Sequence, residues 1–258
     1  MKVTVLGCGP SQGVPVLGNR WGECDPNNPK NVRTRPSIVV EDNGTRLLID
    51  MSPDVRSQLL SNEINLIDAI LFTHIHYDHV AGIGELRTLS HLAKRRLGVF
   101  ATQGVLDGLI NNAGYLFNAE ASDDAQLYKP SAETRAITYG APFAAEGIEV
   151  LPFRQDHGIC ETAGFRFGQF AYSTDTVNLD DGAFAALEGI DVWIVDCLRQ
   201  DPHPTHSHLD RTLEWIERVQ PKRAIFTHMN FQTDYEQTLA LCPDGVEPGY
   251  DGMVLEID

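Results

Sequence analysis

Three histidines and one aspartate lie within six consecutive positions of the segment THIHYDH, at His74, His76, Asp78 and His79. Imidazole nitrogens and carboxylate oxygens are ligands that suit zinc, manganese and iron. On an extended turn, His74 and His76 can point to the same side and share one ion. Asp78 and His79 lie on the next turn and can face a second ion. A catalytic ion needs about three protein ligands and an open position for water, so the segment predicts part of a metal site that takes further ligands from elsewhere in the chain.

The apolar residues 69–72 directly before this segment predict a buried strand, and other predicted strands also end in a side chain that can bind metal. The residues at these other strand ends are His157, Asp175, Asp196 and His228. Ligands collect at the carboxyl ends of strands in layered α/β folds, so we expect these side chains to meet the THIHYDH segment. Asp175 is a candidate to bridge two ions, with His157 completing the first and His228 the second. Taken singly, each has an ordinary alternative, which is a hydrogen-bonded histidine or, for Asp175, an N-cap or Asx turn.

The rest of the chain alternates between strand and helix patterns, which predicts an α/β fold. The predicted strands are 2–6, 37–41, 45–49, 69–72, 147–153, 163–173, 192–195 and 223–226. The predicted helices are 53–62, 82–97, 104–117 and 209–219, the last of which ends before Pro221. Residues 7–31 are predicted to form a long loop, and residues 118–135 are polar and irregular. Loops as long as 7–31 in compact domains are usually functional or disordered.

Length, charge and cysteine content limit the class of protein. A chain of 258 residues favours one domain over 1–258, since this is near the upper size of one hydrophobic core. The net charge of −16 disfavours large nucleic acids as partners, because they bind basic surfaces. No apolar run approaches the roughly 18 residues of a membrane span, and MKVTVLGCGP lacks the apolar length of a signal peptide. We therefore expect no membrane association, a cytoplasmic location and five reduced cysteines.

THIHYDH, followed by His157, Asp175 and His228, resembles the signature of the metallo-β-lactamase superfamily. The resemblance extends over essentially the whole chain. It implies an α/β fold, the four-layer αβ/βα sandwich, with a dinuclear metal site at one edge, and it implies a homodimer. The segments VLGCGPSQGVPV, NVRTRPS and LLIDMSPD are similar to the branch of the superfamily that opens cyclic ribosyl phosphates.

The family pattern implies two divalent metal ions, zinc or manganese, and assigns a ligand to each position of the motif. His74, His76 and His157 would hold one ion, and Asp78, His79 and His228 the other, with Asp175 as the bridge. Asp50 would support a metal-binding histidine by a hydrogen bond without binding the metal itself. The alternative interpretation is that Asp50 is an ordinary turn residue before Ser52. The phosphodiesterase branch also carries a structural zinc bound by several cysteines. The corresponding loop here has only Cys24, so the resemblance does not extend to that zinc.

The segment HPTHSH, residues 203–208, bears on the chemistry within this resemblance. In the phosphodiesterase branch, a histidine from this region acts near the substrate as a general acid or as a stabiliser of the transition state. His206 is favoured because it lies on the predicted loop just before the helix that starts near Leu209. His208 is the alternative, and it could instead be a residue of the helix N-terminus. His203 lies between two prolines and is expected to be structural.

These expectations predict a metal-dependent phosphodiesterase for a small cyclic or nucleotide-like phosphodiester, such as phosphoribosyl 1,2-cyclic phosphate. A metal-bridging hydroxide would attack phosphorus, and catalysis would require Asp78. Arg35 is a candidate to hold a phosphate oxygen, with a solvated surface role as its alternative. Two other classes stay open, namely a cofactor-biosynthesis or redox metal protein similar to pyrroloquinoline quinone protein B, and a thioester or lactam hydrolase. Tyr115 and Phe117 could line the pocket or a dimer contact, with core packing as their alternative.

Overall fold

The computed structural model describes residues 1–117 and 131–258, and its strands form two seven-stranded sheets. The first sheet contains β1 (Lys2–Gly7), β2 (Ser37–Asp42), β3 (Thr45–Ile49), β4 (Ala69–Leu71), β5 (Leu97–Ala101), β6 (Ala132–Ala136) and β14 (Val254–Glu256). The second contains β7 (Phe143–Ala145), β8 (Ile148–Asp156), β9 (Glu161–Phe167), β10 (Phe170–Ser173), β11 (Val192–Asp196), β12 (Arg223–Thr227) and β13 (Val246–Pro248). The spatial orders are β14-β1-β2-β3-β4-β5-β6 and β13-β12-β11-β10-β9-β8-β7.

The helices lie between these strands along the chain. They are α1 (Val55–Ser61), α2 (Tyr77–Val80), α3 (Leu86–Ala93), α4 (Gln103–Ala113), α5 (Asp181–Leu187), α6 (Leu209–Val219) and α7 (Tyr235–Leu239), with 3-10 turns at Pro29–Asn31, Ala81–Glu85 and Gly114–Leu116. None of the helices within the described ranges has the length and hydropathy needed to cross a membrane.

Both faces of the first sheet are covered, which explains the continuous apolar runs of its central strands. Ile38 and Val40 of β2 belong to one hydrophobic cluster, and Val39 between them belongs to another. Successive side chains of a strand point to opposite faces, so a strand buried on both sides is apolar throughout. The first cluster also contains Phe165 and Tyr172 of the second sheet and residues of α5 and α6, while the second contains residues of α1, α3 and α4. Two mixed sheets flanked by helices confirm the predicted αβ/βα sandwich.

The carboxyl ends of the parallel strands meet at one end of the molecule. Strands β3 and β4 pair in parallel in the first sheet, as do β10, β11 and β12 in the second. The chain leaves β3, β10 and β12 through Asp50, Asp175 and His228, whose φ angles are 63°, 54° and 60°. Residues other than glycine rarely adopt this left-handed conformation, and such backbone strain clusters at functional sites.

The predicted helix over 82–97 is wrong at both ends. Residues 81–85 form a 3-10 turn, the following helix ends at Ala93, and Lys94 closes it with a left-handed φ of 55°. The apolar run after it forms β5, which pairs in parallel with β4. A short apolar run does not distinguish a helix from a strand by periodicity, and here the decision comes from a partner strand distant in sequence.

Other differences concern short strands and turns. The predicted single strand 163–173 is two antiparallel strands, β9 and β10, joined through Gly168, whose φ is 54°. Residues 132–135 were predicted to be irregular but lie in β6, which adds to the edge of β5, while 118–130 lie outside the described residues. The predicted last strand at 223–226 is followed by β13 and β14, and α5, α7 and β7 were also not predicted. These elements have seven residues or fewer, which is too short for a clear periodic pattern.

Gly82 is a close-approach position that holds the turn carrying His79 against the end of β3. Its N–H donates to the carbonyl of Met51, and the N–H of Met51 donates to the carbonyl of His79, both at 2.8 Å. A Cβ atom on Gly82 would overlap the carbonyl oxygen of Ser52. Because backbone atoms must then shift, we expect Gly82→Ala to lower the free energy of unfolding by about 1–3 kcal/mol, as measured by urea denaturation.

Gly84→Ala is the matched control for this substitution. Gly84 lies in the same 3-10 turn, and a Cβ atom there meets nothing within 4 Å. The same glycine-to-alanine change should therefore be neutral or stabilise by about 0.4–1 kcal/mol. Equal changes in both variants would show that the close approach at Gly82 does not contribute to stability.

Candidate metal centre

The carboxylate of Asp175 lies at the centre of five histidine rings. Its distances to their Nε2 atoms are 3.0 Å for His79, 3.4 Å for His228, 3.8 Å for His157, and 3.9 Å for both His74 and His206. All five histidines and Asp175 are buried. Charged or polar groups are rarely buried together unless they pair or bind a metal. The strand ends therefore meet as the sequence predicted.

Two groups of side chains within this cluster have the spacing of metal ligands. One consists of His74, His76 and His157, and the other of Asp78, His79, Asp175 and His228, and in each group the potential ligand atoms lie within 4.8 Å of one another. These are the seven residues that the sequence analysis named, and they fall into the two sets that it proposed. The structure thus places both predicted sets at one site.

Several of these nitrogen atoms lack the hydrogen-bond partners that burial requires. Nε2 of His74 and both ring nitrogens of His228 are buried without a hydrogen-bond partner. Buried polar atoms in folded proteins are almost always satisfied, and a bound cation would satisfy the Nε2 atoms of His74 and His228 as acceptors. The donor set of imidazoles and carboxylates suits a transition metal, so the cluster fits a metal site.

Asp50 fixes the orientation of His79 from the opposite side of the ring. Its Oδ2 atom accepts a hydrogen bond from His79 Nδ1 at 2.6 Å, and its two oxygens accept from the N–H and the hydroxyl of Thr73, both at 2.8 Å. A proton on Nδ1 leaves Nε2 free to bind a metal. His157 has an equivalent arrangement, because its Nδ1 donates to the carbonyl of Thr205 at 2.6 Å. The structure therefore places Asp50 behind the ring of His79, and its role in supporting a metal ligand stays a prediction.

The electrostatic environment favours the protonation states that metal binding needs at Asp175 and His74. Burial opposes ionisation of Asp175, but the nearby rings of His228 and His79 outweigh it and hold the pKa of this carboxyl well below its usual range. Burial and the neighbouring His79 lower the pKa of His74 well below that of a free imidazole. An ionised carboxylate and a neutral imidazole are the forms that bind a cation.

His206 lies within the cluster and is held by Asp196 at the end of β11. Its Nδ1 atom is 3.0 Å from Asp196 Oδ2, and its ring stacks on that of His228 at a centroid distance of 4.5 Å. Burial opposes the charged ring, but the carboxylates of Asp196 and Asp175 outweigh it and raise the pKa of His206 to about 9. The ligand-type spacing also groups His206 with His157 and Asp175, or with Asp196 and His228. The geometry therefore allows a proton donor or an additional ligand.

The structure separates the other candidates of this segment from the cluster. His208 is the N-cap residue of α6 and makes no side-chain cap hydrogen bond, and within the described residues it belongs to no group with ligand spacing. The ring of His203 contacts that of His206 at 5.3 Å and accepts from the N–H of Thr205 at 3.4 Å. Of the three histidines, His206 alone faces Asp175.

Arg35 is not brought into the cluster. Its Nε atom lies 2.9 Å from Oδ2 of Asp54, and its backbone N–H donates to the same oxygen at 3.0 Å. The guanidinium therefore already has a carboxylate partner, and its contact with a phosphate oxygen stays a prediction.

Sequence reasoning did not identify two residues that contact the candidate ligands. The sequence predicts that Asp196 lies at a strand end but does not predict its contact with His206. Thr73 was not noted as a donor to Asp50, although a threonine directly before the first histidine was visible in THIHYDH. Both contacts depend on side-chain orientation, which neither strand pattern nor spacing reveals.

Comparisons with known proteins agree with this geometry. Residues 45–229 match the model of the beta-lactamase superfamily domain. An octanoyltransferase of Porphyromonas gingivalis is 31% identical over 261 residues, which is 100% of this chain and 52% of that protein. A coenzyme PQQ synthesis protein B of Methylobacterium radiotolerans is 33% identical over 225 residues, which is 76% of this chain and 72% of that protein. The chain spans about half the length of the first curated relatives it matches.

A solved structure of a new diphosphatase from the PhnP family has a TM-score of 0.89 and 33% identity to this chain. The similarity covers 100% of this chain and 98% of that one. The family model, the near-complete structural match and the clustered histidines and carboxylates all agree. This chain belongs to the beta-lactamase superfamily.

Proposed function

We propose that this protein is a dinuclear metal-dependent phosphodiesterase that hydrolyses a small cyclic or nucleotide-like phosphodiester, such as a phosphoribosyl 1,2-cyclic phosphate. The observation that carries the proposal is the pair formed by His206 and Asp196, which stands directly beside the two ligand groups, with His206 Nε2 3.9 Å from Asp175 Oδ1. Similarity to a diphosphatase at 33% identity over the whole chain supports phosphate chemistry.

The two ligand groups would hold two divalent ions, zinc or manganese, since imidazoles and carboxylates suit both metals. His74, His76 and His157 would bind one, Asp78, His79 and His228 the other, and Asp175 would bridge them. When bound, such ions supply positive charge beside the phosphate and a water of lowered pKa. Asp175 and His228 have a left-handed backbone conformation, and both lie where the chain leaves a strand, so their side chains start from a fixed backbone position.

His206 has the geometry of a proton donor to the leaving oxygen. Asp196 Oδ2 accepts from Nδ1 of His206 at 3.0 Å and also from the N–H of Thr176 at 2.8 Å. This carboxylate therefore fixes the ring and stabilises the imidazolium, whose Nε2–H faces the site. A positioned imidazolium can protonate an alkoxide as it departs.

The charge of the protein supports a small substrate. Large nucleic acids and membrane surfaces carry many negative charges, and a chain with net charge −16 would repel them. We therefore propose no large nucleic acid and no membrane as partners. A homodimer and one domain over 1–258 are part of the same proposal. The cytoplasmic location is supported by five free cysteines in the structure.

The test of this function compares His206→Ala with wild type on two diesters. Ribosyl 1,2-cyclic phosphate releases an alkoxide that needs protonation, whereas bis(p-nitrophenyl) phosphate releases a phenolate that does not. We expect kcat for the cyclic phosphate to fall by roughly 10²- to 10⁴-fold, and kcat for the p-nitrophenyl diester to fall much less. His208→Ala is the matched control and should retain both activities.

Metal analysis by mass spectrometry separates a proton donor from a ligand. Two ions per chain in wild type and in His206→Ala, together with the selective loss on the cyclic phosphate, would support the proposal. Loss of an ion in His206→Ala would make His206 a ligand and would refute the general-acid role. Two ions per chain without cleavage of either diester would support the dinuclear metal site and refute the proposed phosphodiesterase function.

The octanoyltransferase relative favours acyl hydrolysis as a second candidate. An octanoyl thioester places an electrophilic carbonyl where the phosphorus of a diester would lie, and the same ions could polarise it. The chain matches 52% of that relative, so the transferase activity need not belong to the matched half. Cleavage of octanoyl thioesters with no cleavage of diesters would replace the first proposal by this one.

A further inference from the structure

Two large apolar side chains in the segments that carry the metal-ligand candidates are largely exposed. Tyr77 and Ile159 are each 73% exposed. Other exposed apolar residues, such as Leu60 on α1 and Leu92 on α3, lie singly on outer helices, as is normal on protein surfaces. Tyr77 and Ile159 differ from these because both belong to the segments that carry the metal-ligand candidates.

Tyr77 is the first residue of α2, between His76 and Asp78. Its backbone is fixed, because its carbonyl accepts from the N–H of Ala81, and the N–H of His79 donates to the carbonyl of His76 at 3.1 Å. Asp78 and His79 are buried while Tyr77 is exposed. The tyrosine ring therefore stands in solvent at the outer margin of the ligand cluster.

Ile159 also lies on a fixed segment of backbone. It lies in the turn between β8 and β9, where the N–H of His157 donates to the carbonyl of Cys160 at 2.9 Å. Gly158 has a φ of 80°, and a Cβ atom there would lie 2.7 Å from the carbonyl oxygen of Pro204. The turn thus packs directly on the segment that precedes His206.

The two exposed side chains follow, along the chain, two histidines whose rings are neighbours in space. The centroids of His76 and His157 are 5.2 Å apart, with Tyr77 directly after the first histidine and Ile159 two residues after the second. Both side chains are uncharged, which matters on a chain of net charge −16, because further carboxylates at this margin would repel a phosphate. An aromatic ring and an aliphatic side chain provide a surface for a planar, apolar group.

We propose that Tyr77 and Ile159 form an apolar rim that binds the planar base of a nucleotide-like diester, a specificity that rests on the phosphodiesterase function proposed above. Bases stack on aromatic side chains without regard to sequence, because every base has a π-face. The phosphate of such a substrate lies at the metal centre, and its base lies over Tyr77 with Ile159 at its edge. Within the proposed substrate class, the rim therefore gives tighter binding to a diester that carries a base, while a ribosyl cyclic phosphate without a base can still reach the metal centre.

The test measures binding, so that it does not depend on turnover. Adenosine 5′-monophosphate and ribose 5-phosphate share a phosphate and a ribose, and differ by the adenine base. Their Kd values on the metal-loaded protein are compared by calorimetry for wild type, Tyr77→Ala, Tyr77→Phe and Ile159→Ala, with Leu92→Ala as the control for loss of an exposed apolar side chain. Metal content is measured for each variant.

We expect wild type to bind the nucleotide at least roughly tenfold more tightly than the sugar phosphate. Tyr77→Ala should reduce this ratio about tenfold and Ile159→Ala roughly threefold, whereas Tyr77→Phe keeps the aromatic ring and should keep the ratio. Leu92→Ala should match wild type. If Tyr77→Ala lowers the metal content because Tyr77 lies between two candidate ligands, the ratio measured in Ile159→Ala still tests the rim.

An equal Kd for the two ligands in wild type would overturn the proposal, as would a lack of nucleotide binding at millimolar concentration. A ratio that is unchanged in both alanine variants would also overturn it. Failure of the phosphodiesterase function has a different signature, which is base-dependent nucleotide binding without cleavage of any diester. Diester cleavage without a preference for a base would refute base binding by the rim and leave the phosphodiesterase function supported.

Discussion

Replacing Asp175 with asparagine should abolish hydrolysis and reduce the metal content below two ions per chain. One carboxylate lies within 3.9 Å of the Nε2 atoms of five histidines, and its two oxygens face different rings. An amide of the same shape carries no charge and offers only one oxygen. The variant therefore loses the bridge while it keeps the volume of the side chain.

The expected loss of activity follows from what the second ion contributes. A catalytic metal ion supplies several kcal/mol of transition-state stabilisation, which corresponds to a rate loss of roughly 1,000-fold or more. Metal content by mass spectrometry and kcat/KM on bis(p-nitrophenyl) phosphate measure the two effects. The metal count tests Asp175 even if the natural substrate is of another class.

Asparagine is the appropriate replacement because of the backbone at this position. Asp175 has a φ of 54°, and asparagine adopts the left-handed region more readily than most residues. Loss of activity in Asp175→Asn thus reports the missing charge rather than added strain. Asp181→Asn, at a side chain that is 98% exposed, makes the same chemical change on the surface and should leave metal content and activity as in wild type. Two retained ions in Asp175→Asn would refute the bridging role.

The metal-ligand candidates could be predicted because most of the information is local. Four of the seven lie within six residues of THIHYDH, and a strand pattern precedes each of the others. The ends of parallel strands meet in space, so a polar residue at such an end already has an approximate position. This reasoning located Asp175 and His228 without knowledge of the topology.

The parts that could not be predicted depend on contacts distant in sequence. Residues 97–101 have an apolar composition that suits either a helix or a strand, and their pairing with β4 decides between the two. Asp196 and His206 are ten residues apart, and their contact requires the chain between them to fold back. Tyr77 is part of the motif, yet its exposure of 73% follows only from how α2 lies on the sheets.

Asp50→Asn should weaken metal binding by roughly 10- to 100-fold without removing any ligand. Asp50 is fully buried, and its Oδ2 accepts from His79 Nδ1 at 2.6 Å and from the Thr73 hydroxyl at 2.8 Å. An amide in this place presents an N–H₂ group to one set of donors, so either Thr73 or His79 loses its acceptor. In either orientation of the amide, the ring of His79 loses the charged acceptor at its Nδ1 atom and with it part of its basicity. Asparagine again suits the left-handed backbone, since φ at Asp50 is 63°.

A second buried carboxylate separates this effect from a general loss of stability. Asp251 accepts hydrogen bonds from the N–H and the hydroxyl of Thr34 at 2.7 and 2.6 Å and from the N–H of Cys8 at 3.1 Å, and it hydrogen-bonds none of the clustered histidines. Asp50→Asn and Asp251→Asn each leave a buried donor without its acceptor, so both should lower the unfolding free energy of the metal-free protein by about 1–3 kcal/mol.

Metal affinity should distinguish the two variants, because only Asp50 contacts a candidate ligand. Competition with a chromophoric chelator gives the affinity directly, and urea denaturation of the metal-free proteins gives the stability. We expect a weaker Kd for zinc in Asp50→Asn and a wild-type Kd in Asp251→Asn. Equal affinities in the two variants, at equal loss of stability, would show that Asp50 serves the fold alone. A selective loss would mean that the charge behind His79 sets how tightly the site holds its metal.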